Sequence, residues 1–93
     1  MDLELHLFIR DKTIVGVREY CVMRRPDNTE TGFGLQRYET KCFPSAEDLL
    51  AFLTPMRPPI PQAFLRERIG SLKLGEVGAS LTVERAWAEL VGL

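Results

Sequence analysis

Histidine is nearly missing from this chain, which has one, His6, among 93 residues, together with two cysteines, Cys21 and Cys42. A structural zinc takes about four ligands, usually in close sequence pairs. With no CxxC and the three candidates far apart, neither a metal nor any other cofactor is expected. Two cysteines are too few for a disulfide framework. The expectation is of reduced thiols in a cytoplasmic protein, with a single Cys21–Cys42 bond left open. Long apolar runs are missing too. Nothing approaches the ~20 residues of a membrane-spanning helix, and Asp2 and Glu4 interrupt any signal-peptide pattern at the start. Charge of one sign is not in excess either: 12 basic side chains stand against 13 acidic ones, and residues 1–43 and 44–93 are each nearly balanced. Such a balance exerts no pull toward nucleic acid or a membrane surface.

Catalytic patterns are equally sparse. Gly32-Phe33-Gly34 and Gly75-Glu76-Val77-Gly78 lack both the Lys-Ser/Thr ending of a P-loop and the GxGxxG spacing. A nucleophilic Cys21 or Cys42 would need a base beside it, and only His6 could serve. Glu47 and Asp48 fall in the first turn of a predicted helix, where negative charge complements the helix dipole. Asp2, Glu4, Glu19 and Glu39 read as solvated strand positions. The chain is therefore expected to be a non-enzyme, with a small enzyme or enzyme subunit completed by a partner as an alternative.

What is present suits one folded domain over 1–93. Apolar residues at 45% and charged residues at 27% are globular proportions, not those of a disordered chain. The fold class expected is α+β: a three-stranded antiparallel meander over 1–43, then two to three short helices over 44–93, with a Pro-rich connector at 54–62. Leu3, Leu5, Leu7 and Ile9 alternate with polar neighbours, which is the period of a strand with one buried face. After the polar break at Arg10–Thr13, a second strand is predicted over Ile14–Arg24. A register in which paired numbers sum to an even value places Val15, Val17, Cys21 and Met23 on the same face as Leu3–Ile9. Glu19 fits that face poorly, and His6 on the other face gains Arg18 as a neighbour. Pro26-Asp27-Asn28-Thr29 signals a turn, and a third strand follows over about Thr31–Phe43.

Ser45 and Asp48 resemble a capping box, and Ala46, Leu49, Leu50 and Leu53 mark one face of a helix ended by Thr54-Pro55. Four of the six prolines then crowd residues 54–62. PxxP spacings at Pro55/Pro58 and Pro58/Pro61 beside Arg57 fit an SH3-type ligand, or an ordered connector. A second helix over about Pro61–Ile69 turns Phe64, Leu65 and Ile69 inward. Alternation at Leu72/Leu74 and at Ala79/Leu81/Val83 suggests a small extra hairpin near 71–83. A last helix over about Thr82–Val91, facing inward with Val83, Trp87, Leu90 and Val91, stops at Gly92.

The same tail offers a competing pattern. Val77, Leu81, Val83, Ala88 and Val91 resemble the apolar spacing of a helix-turn-helix over 74–91, which implies a DNA-binding transcriptional regulator. Against it, residues 74–93 hold Glu76, Glu84 and Glu89 but only Arg85, and a helix in the major groove needs cations around it.

The remaining feature is the hairpin around 24–38, which groups Arg24, Arg25, Phe33, Arg37 and Tyr38. Arginine and aromatic side chains are favoured at protein–protein hot spots. The leading expectation is a protein–protein interaction module, an inhibitor or adaptor acting by steric occlusion. It would bind another protein or protein complex through this hairpin or a sheet edge, and a homodimer could form through the same edge. In size, plain α+β order and want of reactive motifs, the chain resembles phage-encoded inhibitors of host defence such as anti-CRISPR proteins; the likeness covers no motif.

Overall fold

The computed structural model describes residues 1–12, 16–25 and 40–93. In chain order the elements are β1 (Asp2–Asp11), β2 (Arg18–Arg24), β3 (Lys41–Phe43), α1 (Ala46–Leu53), α2 (Gln62–Gly70), β4 (Ala79–Glu84) and α3 (Arg85–Leu90). The strands form one antiparallel sheet ordered β3-β2-β1-β4. The expected α+β class and the β1-β2-β3 meander are present, and a fourth strand lies on the far side of β1. Most of the predicted third strand, with its turn at 26–29, lies outside the described residues, as do Ile14 and Val15.

The β1·β2 register differs from the expected one. Leu5 pairs with Arg24, Leu7 with Val22 and Ile9 with Tyr20, so paired numbers sum to an odd value. The face carrying Leu5, Leu7 and Ile9 is completed by Val22 and Tyr20 from β2, and by Leu81 and Val83 from β4. Cys21 and Met23 turn to the opposite face with His6 and Phe8. Val17 is not in the core at all: it precedes β2 and is 46% exposed. The misfit of Glu19 disappears in this register, because Glu19 stands opposite Arg10 and takes a 3.1 Å bond from its Nε. His6 does not meet Arg18, which pairs with Asp11; its cross-strand neighbours are Met23 and Ser80.

The helices cover the leucine face. Ser45 Oγ accepts the Asp48 N–H at 3.2 Å, capping α1, whose Leu49, Leu50 and Leu53 are buried. Phe52 links Phe43 on β3 to Trp87 on α3, with ring centroids 5.2 and 6.1 Å apart. Such tilted contacts suit the charge distribution of aromatic rings. The proline-rich stretch is an ordered connector: Met56 is fully buried and its N–H donates to Leu53 O. From α2, Leu65 and Ile69 reach the core, whereas Phe64, predicted inward, stays at the surface with Arg68 over its ring.

Residues 71–83 do not form a hairpin of their own. Residues 71–78 are turns and irregular chain, and Ala79–Glu84 pairs with β1 instead. Gly78 permits that approach, since a Cβ there would fall on the Leu7 carbonyl. The helix-turn-helix reading fails for the same reason: its central stretch is a strand, and α3 is a six-residue helix starting only at Arg85. Leu90, expected inward, is 83% exposed. The predicted stop at Gly92 holds. Gly92, at φ +84°, donates to Glu89 O while Leu93 donates to Ala88 O. This double closure is favoured by glycine because other residues are strained at positive φ.

Candidate functional site

Of the five residues predicted at the hairpin, the structure describes Arg24 and Arg25, which turn to opposite faces of β2. Arg24 lies on the core face of β2, and its Nη2 donates to the main-chain oxygen of Leu93 at 2.7 Å. Arg25 turns the other way and pairs with Glu4 at 2.9 Å on an exposed surface. Phe33, Arg37 and Tyr38 lie outside the described residues.

Two other features stand out. The first is the outer edge of β4. Antiparallel backbone groups alternate in direction along a strand. Arg85 N–H donates inward to Met1 O at 3.0 Å, while Glu84 N–H donates outward to Arg57 O at 2.6 Å. By that alternation the N–H and C=O of Ser80 and Thr82 point away from β1. Among the described residues nothing takes these groups. Natural edge strands are commonly guarded by lysine, proline or a bulge, and Ala79–Glu84 contains neither lysine nor proline. Two residues before this strand, Val77 leaves an apolar side chain 96% exposed. No local sequence signal marks Ser80 and Thr82. They become an edge only once β4 adds to β1.

The second is a cluster on the sheet face opposite the helices. Cys21 pairs directly with Cys42 across β2·β3, and the Cys21 thiol donates to the Cys42 sulfur at 2.7 Å. Glu19 lies beside them, with one ligand atom from each of the three within 4.8 Å of the others. Burial, and then the Cys42 neighbour, push the Cys21 thiol pKa up to about 12. The Arg10 guanidinium acts in the opposite sense on Cys21, and its own pKa is raised above its ordinary value mainly by the Glu19 bond. The chemistry of the set is poor for a divalent metal. Among the described residues it supplies three donors where structural zinc takes about four, and Glu19 is already engaged by Arg10 at 3.1 Å and Lys12 at 3.7 Å.

A cleft between α1 and α2, floored by Leu50 and Ile69, has a volume of about 190 Å³ and is crossed by the Glu47–Arg66 ion pair. Small-molecule sites are usually ~300–1,000 Å³, so this cleft is undersized for that role. No helix of the described residues is long and apolar enough to cross a membrane. No protein-family model matches this chain, and no curated protein or solved structure matches it.

Proposed function

We propose that this protein is an interaction module that receives an extended segment of a protein partner on the outer edge of β4, and that it acts by covering what it binds. One observation carries the reading: among the described residues, nothing takes the outward N–H and C=O groups of Ser80 and Thr82 at the end of a four-stranded sheet. An incoming strand would pair with both residues and obtain affinity from main-chain hydrogen bonds, while side chains set the register. The site is short. Arg57 O already occupies Glu84 N–H, so the free edge spans about Ala79–Val83. Val77 lies where a partner's apolar side chain would exclude water from it. Arg24 is turned to the core face and bonded to Leu93, which leaves that side chain less suited to a partner than the β4 edge.

Thr82→Pro tests this directly. Proline removes the outward N–H of residue 82 but no bond to β1, and edge strands tolerate it. The wild-type chain and the variant are immobilised against extract of the producing cell. The expected outcome is a protein retained by the wild type and lost at least tenfold by the variant, with the Ser80 and Thr82 amides protected from hydrogen exchange in the complex. Equal retention by a folded variant, or a complex in which those amides exchange freely, overturns the reading. A wild-type homodimer broken by Thr82→Pro assigns the same edge to a second copy instead.

A further inference from the structure

The backbone direction of β2 decides what Cys21 and Cys42 can do. Arg25 N–H donates to Glu4 O, and Lys12 N–H donates to Val17 O, so odd-numbered residues of β2 turn their backbone groups toward β1. Cys21 therefore turns its N–H and C=O away from β3, and its pairing with Cys42 is a non-hydrogen-bonded one. In such pairs the Cα atoms lie about 4.5 Å apart and the side chains approach each other closely. A disulfide spans Cα separations of roughly 4.4–6.8 Å, so a pairing of this kind falls within bridging distance, at its short end. The sulfurs are already in contact at 2.7 Å. Their access differs: Cys21 is fully buried and Cys42 is partly exposed.

We propose that Cys21 and Cys42 form a dithiol site that exchanges with low-molecular-weight disulfides, closing a cross-strand bond that locks β3 onto β2. Cys42 is the entry sulfur. Its thiolate, having released its proton to water, attacks one sulfur of the external disulfide. That S–S bond breaks, a thiolate leaves and is protonated, and Cys42 carries a mixed disulfide. The Cys21 thiolate then attacks the Cys42 sulfur and expels the second external thiolate, which takes up the proton Cys21 has lost. Two protein thiols are oxidised to one disulfide, and one external disulfide is reduced to two thiols. Attack requires the thiolate form, which burial disfavours at Cys21, so Cys42 attacks first and the 2.7 Å contact between the sulfurs supplies the proximity for the second, intramolecular step. Among the described residues, the Arg10 guanidinium interacts electrostatically with both sulfurs. The bond joins β2 to β3, whose intervening sequence contains Phe33, Arg37 and Tyr38. The proposal does not depend on the β4 edge.

The test is incubation of the reduced wild-type protein with oxidised glutathione, followed by alkylation of free thiols and mass spectrometry. The expected result is joint loss of both thiols, a Cys21–Cys42 cross-link within one chain, and no lasting glutathione adduct. Cys21→Ala should accumulate a stable glutathione adduct on Cys42. Cys42→Ala, while folded, should react at Cys21 at least tenfold more slowly. If a variant does not fold, the cross-link in the wild type decides alone. Both thiols left free while the denatured chain oxidises, or a persistent Cys42 adduct in the wild type, overturns the proposal.

Discussion

The guanidinium of Arg24 donates at 2.7 Å to the main-chain oxygen of Leu93, tying β2 to the residue that closes α3. Leu93 is itself buried and held by its own N–H on Ala88 O. Hydrogen bonds with a charged partner contribute about 1.5–3 kcal/mol. Arg24→Ala should lower unfolding stability by that order, read as a shift of the urea midpoint at constant slope. Arg25→Ala removes only an exposed pair with Glu4, and pairs of that kind are worth ~0–1 kcal/mol. Equal losses for the two variants would contradict the inward role of Arg24.

Gly78 is expected to tolerate no side chain. The clash in Gly78→Ala is with the Leu7 backbone, which cannot swing aside as a flexible side chain can. The Leu7↔Ala79 pairing next to it should loosen. Overpacking of this kind costs about 1–3 kcal/mol. Thermal unfolding measures the loss, and faster hydrogen exchange along β4 locates it.

Leu53 and Leu90 look alike in sequence as apolar residues near a helix end, but their positions differ. Leu53 is fully buried, while Leu90 is largely in water. Leu53→Ala should cost roughly 2–5 kcal/mol, and Leu90→Ala should stay within about 0.5 kcal/mol. A large loss at Leu90 would show that α3 turns a different face to the sheet.

The buried Cys21 thiol makes the reduced protein sensitive to alkali. Its pKa rises from 9.0 to about 12 on folding, first through burial and then through Cys42, with Glu19 adding to the rise and Arg10 opposing it. The folded state therefore holds this proton more tightly than the unfolded chain. The resulting stabilisation is fully present below pH 9 and is lost as pH climbs from 9 toward 12. Denaturant melts of the reduced protein across that window should fall more steeply than those of Cys21→Ala. Parallel curves would remove the thiol as the cause.

Closing the Cys21–Cys42 bond should raise stability. The cysteines are 21 positions apart, and loops of about that length give ~3 kcal/mol in the chain-entropy account. Comparing oxidised and reduced wild type by denaturant melt checks this. No gain in the oxidised form would mean that bridging strains the sheet.

Several elements were legible because their causes are local. Ser45 caps α1 through a residue three positions on, and the spacing of Ala46, Leu49, Leu50 and Leu53 names the buried face. Gly92 stops α3 by its own backbone freedom. The register of β2 was not legible, because its segment offers an apolar set on each parity: Val17, Cys21 and Met23 on one, Tyr20 and Val22 on the other. Either set could meet the β1 leucines. The facing of Cys21 and Cys42 was not legible either, because it depends on how β3 pairs with β2 and not on the β1·β2 register.

Taken alone, the sequence determined the presence of a one-sided sheet, the first helix with its cap, and the terminal stop, since each depends on residues a few positions apart. Tertiary structure decided which parity of β2 meets the core, that Ala79–Glu84 joins β1 as an edge strand, and that two distant cysteines stand face to face. Those outcomes are competitions between pairings far apart in the chain. They are settled by which arrangement buries the most apolar surface, and no local window of residues contains that comparison.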